Sequence, residues 1–180
     1  QTIALSLILR NQAEQVQFAV LCGKPEQWQH MAHANPKYFR CLHSNFERSA
    51  ATTILEMCDL VEARQHGEAI NHSLLFIIDG MDTVPHMDFG IRMNFEWLLK
   101  EGPAMRVWPI AALDSESAMQ QLRWVNCFRT RLIGSILKPE YGRNLSLSHD
   151  LKPFDLFPGS QFAVRLNRSW LIFSLPTSDA

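Results

Sequence analysis

A run of apolar residues that ends in an acid is the clearest candidate for chemistry in this sequence. Residues 74–78 are all apolar, and they lead directly into Asp79, Gly80 and, two positions later, a second acid at Asp82. A buried strand that ends this way presents a carboxylate at a sheet edge, where it can hold Mg²⁺ against the phosphates of a nucleotide. A strand-terminal aspartate can equally accept hydrogen bonds from a loop or cap a helix. The stretch alone leaves both interpretations open.

Two other groups of polar residues have a weaker pattern. His30 and His33 stand three apart in a helical segment, which is compatible with metal ligation, but no third ligand lies nearby. Solvated histidines, and no metal site, are therefore expected. Asp114 precedes Ser115 and Glu116 at the start of a helical pattern, where carboxylates favour the positive end of the helix dipole. Capping is the predicted role of Asp114.

A basic and aromatic cluster follows in the sequence. Arg123, Arg129 and Arg131 are interleaved with Trp124 and Phe128. Such a cluster can stack on its own domain, or it can reach the nucleotide of a neighbouring subunit or DNA. The first alternative is favoured because it is the commoner one.

Composition limits what these residues can mean. The chain has 180 residues, 47% of them hydrophobic, which suits one compact domain over residues 1–180. A net charge of −1 excludes the strong basic field of an autonomous nucleic-acid binder. The four cysteines form no CxxC pair, which indicates a reducing, cytoplasmic setting. No apolar run approaches the length of a membrane span, and the first residues lack the order of a signal peptide.

The elements that must position the acids alternate between two periodicities. Short apolar runs separated by amphipathic segments predict a mostly parallel sheet between helix layers, a doubly wound α/β domain. Two alternating runs around Asn167-Arg168 predict a C-terminal antiparallel hairpin, after an irregular polar loop at 139–153. The predicted strands are 16–22, 37–43, 73–79, 105–113 and 130–137. The predicted helices are a buried one at 1–11, then 26–33, 45–66 with Asn45 as its cap, 87–101 and 115–125.

The predicted topology also predicts where a ligand would bind. In open α/β sheets ligands lie beyond the carboxyl ends of the strands. One edge should therefore gather the residues that follow the first four strands. These are 22–24, 43–45, 79–82 and 113–115.

Five segments of the chain follow one another in an order found in one family of motor proteins. They are LSLILRNQAEQVQFAVLCGKP, SLLFIIDGMDTV, VWPIAALDSES, NCFRTRLIGSI and LFPGSQFAVRLNRSWLIFSLP. Together they resemble the FtsK/SpoIIIE group of RecA-like DNA-translocating ATPases, which includes HerA-type and type VII secretion motors. The resemblance covers nearly the whole chain. It implies a RecA-like P-loop NTPase core that starts just after the place of the phosphate-binding loop.

The resemblance also implies roles for individual residues. Asp79 matches the magnesium-binding aspartate of the family's Walker B strand, and Asp82 matches a later acid. Lys24, which follows the first predicted strand of this chain, matches a lysine of the family. ATP and Mg²⁺ are the implied cofactors. The candidates for sensing the nucleotide or contacting another subunit are Asp114, Arg129 and Arg131.

Three departures from the family pattern bear on activity. Gly80 stands where the family has a glutamate that activates water, and glycine has no side chain to do so. Ala112 and Leu113 stand where the family has Thr-Gln, with Asp114 beyond them. The GxxxxGK[ST] loop would lie before Gln1 and is not in this sequence. Nucleotide is therefore expected to bind poorly or not at all.

These departures leave two hypotheses. One is a degenerate or truncated motor module that assembles with itself or with tandem ATPase modules, in the cytoplasm or at the inner face of a membrane, and helps to move DNA or protein. The other is a non-catalytic α/β scaffold that regulates an adjacent motor. A late chain start would explain the missing loop, but it does not explain Gly80 and Leu113, which lie well inside the sequence.

Overall fold

The computed structural model describes residues 1–46, 48–136, 138, 140–141, 155–167 and 169–175, without the side chain of Asp82. The chain forms two compact units, Gln1–Leu113 (unit one) and Asp114–Ala180 (unit two). Most of the predicted loop at 139–153, and Arg168 in the predicted hairpin turn, lie outside the described residues. That residues 1–180 form a single core domain stays a prediction.

Unit one contains the predicted parallel sheet. Its strands are β1 (Val16–Cys22), β2 (Phe39–Ser44), β3 (Ser73–Asp79) and β4 (Val107–Ala112), in the spatial order β2-β1-β3-β4. Each neighbouring pair is parallel, so the alternation of strands and helices in the sequence predicted the fold class correctly. The helices are α1 (Thr2–Ile8), α2 (Glu26–Ala34), α3 (Arg48–Gln65) and α4 (Phe89–Glu101).

The core of unit one lies on the two central strands. Phe18 and Val20 of β1 are fully buried, and they pack with Leu75 and Ile77 of β3 and with Trp28 of α2. Residues of β3 that alternate with these, such as Phe76, are also fully buried. Strands buried on both faces read as continuous apolar runs, which is why residues 74–78 show no alternation.

Two predictions about the helices of unit one are wrong. The apolar stretch at 1–11 was expected to be a buried helix, but α1 buries only Ala4, and Leu5 is 46% exposed. A seven-residue helix against a sheet has one buried stripe, whatever the composition of its other faces. Asn45 does not begin the next helix, since α3 starts at Arg48 and the Asn45 amide bonds to another strand.

Unit two contains two short helices, α5 (Ser115–Gln120) and α6 (Leu122–Val125), and a three-stranded antiparallel sheet. Its strands are β5 (Leu132–Ile133), β6 (Gln161–Leu166) and β7 (Ser169–Ser174). The hairpin of β6 and β7 confirms the alternating pattern, and Asn167 at its turn has a φ of 56°.

The strand predicted at 130–137 is shorter than expected and belongs to a different sheet. Only Leu132 and Ile133 pair, and they pair antiparallel with Val164 and Ala163 of β6. An apolar run does not show which partner it has, and here the hairpin supplies the partner. No helix within the described residues is both long and apolar enough to cross a membrane.

Candidate functional site

The carboxyl ends of the four strands of unit one meet at one edge, as predicted. Cys22 at the end of β1 lies opposite both Ser44 of β2 and Asp79 of β3. Asp79 in turn lies opposite Ala112 of β4. The strands end level with one another, so the residues that follow them form one carboxyl edge of the sheet.

Asn45 ties this edge together. Its backbone N–H donates to the carbonyl of Cys22 at 3.1 Å, and its side-chain Nδ2 donates to the carbonyls of Gly80 at 2.7 Å and Asp79 at 3.3 Å. Asn45 is only 3% exposed. A buried amide that satisfies two carbonyls in this way fixes the end of β3 relative to β1 and β2. We call this set of contacts the Asn45 clamp.

Gly80 adopts a backbone conformation that favours glycine. Its φ is 90° and its ψ is 84°, and its N–H donates to the carbonyl of Ala112 at 3.2 Å. Its own carbonyl accepts a hydrogen bond from Asn45, so the N–H and the carbonyl of Gly80 are both hydrogen-bonded. Any residue with a Cβ is strained at such a φ, by about 1–3 kcal/mol. A glutamate at position 80 would therefore require a different turn.

Asp79 is the exposed polar residue at the end of β3, although the five residues before it in that strand are buried. Burial raises the pKa of the Cys22 thiol to about 11, and the charge of Asp79 adds to this effect. The acid thus lies beside the end of β1, and its role in holding magnesium stays a prediction.

The donor set at this edge suits a magnesium-bound nucleotide in one respect only. Mg²⁺ is held by one or two carboxylates together with the phosphates of its ligand, and the exposed carboxylate of Asp79 can supply the protein's part. Among the described residues the buried Oδ1 of Asn45 has no hydrogen-bond partner, and it is a further oxygen at the same edge. Position 80, in contrast, offers no group that could accept a proton. Asp79 thus offers a carboxylate for a metal ion, while position 80 offers no side chain that could activate water.

Asp82, the second acid of the motif, lies in a short 3₁₀ helix, Met81–His86, directly after this turn. Its side chain lies outside the described part of the structure, so its role at the edge stays a prediction. Lys24, which follows β1, is exposed. The ring of Phe46 is also exposed and comes so close to Gly23 that a Cβ there would lie 3.3 Å from it.

Asp114 caps α5, as its position in the sequence predicted. Its Oδ1 accepts the backbone N–H groups of Glu116 and Ser117, both at 2.8 Å, and its Oδ2 accepts the Ser117 hydroxyl at 2.9 Å. The bond from the Ser117 N–H is the main reason that the pKa of Asp114 is lowered. Both carboxylate oxygens are thus engaged in the cap. A sensor role for Asp114 stays a prediction.

The two arginines proposed for contacts between subunits differ. Arg131 folds onto its own turn, donating from Nε to the carbonyl of Phe128 at 3.3 Å and from Nη2 to Oδ1 of Asn126 at 3.0 Å. Arg129 is exposed. His30 and His33 are exposed on α2, and no group of three metal-ligating side chains occurs within the described residues.

Comparison with known proteins detects similarity in structure but not in sequence. No protein-family model and no curated protein matches the chain. Among solved structures, EssC (ATPases 2 and 3) from Geobacillus thermodenitrificans matches with a TM-score of 0.68 and 14% identity over 95% of this chain. EccC (ATPases 2 and 3) from Thermomonospora curvata, in complex with a signal sequence peptide, matches with a TM-score of 0.70 and 12% identity over 96% of this chain.

A third structure, the cytoplasmic domain of the Thermomonospora curvata type VII secretion ATPase EccC, matches with a TM-score of 0.63 and 13% identity over 96% of this chain. The chain spans 35%, 33% and 23% of these three structures, in the order given. At such low identity the likeness concerns the fold alone. The chain therefore has the α/β fold that these secretion ATPases share.

Proposed function

We propose that this chain is a motor-type ATPase module that retains a magnesium-binding acid but has lost its own catalytic position. The observation that carries the proposal is Gly80, which combines a positive φ with a backbone locked by Asn45 directly after the strand-terminal acid. A position shaped around glycine cannot host the water-activating glutamate that the resemblance places there. The module would therefore bind nucleotide weakly and hydrolyse none.

Each residue of the carboxyl edge has a defined part in this proposal. Asp79 would hold the magnesium ion that accompanies ATP, and the bound nucleotide would supply the triphosphate that the ion bridges. The Asn45 clamp orients Asp79 by fixing the peptide that follows it. Leu113, which replaces a polar residue of the family pattern, has no group to contact the γ-phosphate. In this proposal the module binds Mg²⁺-ATP but does not hydrolyse it.

The proposed setting is a larger assembly. The matched EssC and EccC structures each contain ATPases 2 and 3, and one of them was solved with a signal sequence peptide. A module of this fold would accordingly pack with tandem ATPase modules or with copies of itself and take part in moving a protein substrate. The net charge of −1 favours protein over DNA as that substrate. The four free thiols agree with a cytoplasmic location.

Thermal unfolding with and without Mg²⁺-ATP tests the proposal. A ligand that binds only the folded state raises the melting temperature, so wild type should be stabilised at millimolar Mg²⁺-ATP. Asp79→Ala should abolish the shift, whereas the control Asp59→Ala, an exposed acid on α3, should keep it. Phosphate release by wild type should not exceed the buffer rate.

Two results would overturn the proposal. Release of phosphate that depends on Asp79 would show that the catalytic position is intact. A melting temperature that Mg²⁺-ATP leaves unchanged in wild type would instead favour the alternative, a scaffold without nucleotide affinity that regulates an adjacent motor.

A further inference from the structure

The opposite, amino edge of the parallel sheet gathers positive side chains. The strands β2, β3 and β4 begin at Phe39, Ser73 and Val107. Arg40 is the second residue of β2, while His72 and Arg106 come immediately before β3 and β4. His72 and Arg106 come before neighbouring parallel strands, so they lie at one edge, far from Asp79. Arg40 lies further along the sheet, since Phe39 is level with Phe18 and Leu75, but its charge acts on both Arg64 and His72. None of them belongs to the motifs considered above.

Arg64 anchors this edge from α3. Although it is an arginine, it is only 5% exposed. Its Nη1 donates to the carbonyl of Met105 at 2.8 Å, and its Nη2 donates to the carbonyl of His72 at 3.2 Å and lies 3.5 Å from His72 Nε2. The guanidinium therefore sits rigidly between the two segments that lead into β3 and β4. We call Arg40, Arg64, His72 and Arg106 the amino-edge cluster.

The cluster carries more positive than negative charge. Burial lowers the pKa of Arg64, Glu68 raises it, and the charges of Arg40 and Arg106 lower it again. Burial likewise lowers the pKa of His72, and Arg64 and Arg40 lower it further. Like charges held this close repel one another, and the fold must compensate for that cost. The three arginines of the cluster stay charged at neutral pH, and Glu68 is the acid that acts on Arg64.

Arg106 adds a second sign of strain at the same place. Its φ is 55°, in the left-handed region that non-glycine residues seldom adopt, and it is exposed. Its backbone carbonyl accepts a hydrogen bond from Leu74 at 2.9 Å, which keeps the strained residue in position. Backbone strain that surrounding contacts maintain next to a charge cluster is typical of ligand sites.

We infer that the amino-edge cluster binds a phosphoryl oxyanion. Arginine forks match the geometry of phosphate oxygens and donate charge-assisted hydrogen bonds to them. Because the arginines of the cluster come from three separate elements, a ligand with more than one phosphoryl group offers them more oxygens than a single phosphate does. The site lies at the edge of the sheet opposite Asp79, needs no Mg²⁺, and does not depend on the proposed ATPase ancestry.

Pyrophosphate is the probe that tests this inference. In EDTA, and against sodium chloride of equal ionic strength, pyrophosphate should raise the melting temperature of wild type. Arg40→Gln with Arg106→Gln removes two exposed donors without touching the core, and should weaken binding about tenfold for each lost arginine. Arg48→Gln, an exposed arginine at the start of α3 on the opposite edge, should leave binding unchanged.

His72 gives a readout that does not depend on any variant. An anion bound among the arginines offsets their charges, so pyrophosphate should raise the pKa of His72 in an NMR titration of wild type. The exposed His33 on α2 is the internal control and should not move. A His72 titration that pyrophosphate leaves unchanged, or equal binding by wild type and the double variant, would overturn the inference.

A competition experiment identifies the source of the phosphoryl groups. Displacement of pyrophosphate by a short single-stranded oligonucleotide would assign the site to a nucleic-acid backbone. Retention of pyrophosphate would assign it to free polyphosphate. Both results support the oxyanion chemistry, which the double variant tests separately.

Discussion

At each edge of the parallel sheet one buried side chain donates hydrogen bonds to two backbone carbonyls, but the two edges differ in the sign of their charge. At the carboxyl edge the buried amide of Asn45 donates to the carbonyls of Asp79 and Gly80. At the amino edge the buried guanidinium of Arg64 donates to the carbonyls of His72 and Met105. The amide of Asn45 adds no charge, so the carboxylate of Asp79 dominates the charge of the carboxyl edge. Arg64 instead adds positive charge to an amino edge that already has two other arginines, Arg40 and Arg106.

This difference explains how one small sheet can offer two unlike surfaces. The central strands β1 and β3 bury their apolar side chains on both faces and leave mainly their ends for polar chemistry. A carboxylate at one end suits a cation, and a set of arginines at the other suits an anion.

The largest effect is expected from Arg64→Met. The substitution keeps the apolar stem but removes both donors, so two buried carbonyls lose their partners and the free energy of unfolding should fall by about 3 kcal/mol. Urea denaturation measures it. Arg64→Lys, which keeps a charge but not the planar fork, should recover only part of the loss. A loss for Arg64→Met below about 1 kcal/mol would contradict the anchoring role.

Asn45→Ala is expected to cost somewhat less, about 2 kcal/mol, because the carbonyls it leaves lie nearer to solvent. Asn35→Ala is the matched control, since the Asn35 amide makes a local bond to the Met31 carbonyl four residues earlier. It should cost less than 1 kcal/mol by the same urea measurement, roughly the value of one partly exposed bond. Equal costs for the two variants would show that Asn45 does not tie the strands together.

The glycine turn is tested by a pair of glycines with positive φ. Gly67, at a φ of 102° after α3, has open space around it, so Gly67→Ala measures backbone strain alone, about 1 kcal/mol. Gly80→Ala should cost at least as much, because the Asn45 clamp prevents the turn from relaxing.

Gly80→Glu should be destabilised in the same way and should release no phosphate from ATP. The strained backbone does not place the new carboxylate where a glutamate would act. Phosphate release by Gly80→Glu above the wild-type level would show that the turn still accommodates the catalytic residue.

The smallest effect concerns pH. The pKa of His72 lies below its ordinary value of 6.5 in the folded protein, so the unfolded chain takes up a proton first as the pH falls. Stability should therefore decrease below about pH 6.5 and level off once the pH passes the folded pKa. His72→Gln should flatten this part of the curve of unfolding free energy against pH. An unchanged slope would mean that His72 is not desolvated at the edge.

The sequence predicted the parts of the molecule that local patterns determine. The bounds of β1 and β3 match the predicted ones, and Gly23 and Gly80 directly follow the two apolar runs. Asp114 caps α5, as expected of a short carboxylate directly before a helix. Asn45 shows the limit of such patterns. An asparagine after a strand favours a cap equally well, and only its contact with a strand 34 residues away decides otherwise.

The amino-edge cluster was beyond the reach of sequence patterns for a related reason. Arg40, His72 and Arg106 are separated by roughly equal stretches of chain, and each looks like an ordinary charged residue beside a strand. Sheet order alone brings them together, with Arg64 from α3 between them. The strand predicted at 130–137 was wrong for the same reason, because the residues of β5 do not show that their partner is β6 of the hairpin.

The most direct test of the account is a calorimetric titration of wild type and Asp79→Ala with ATP, in the presence and absence of Mg²⁺. The account predicts weak binding by wild type that requires the metal, and none by the variant. Identical titrations of the two proteins, or heat from continuous hydrolysis by wild type, would contradict it.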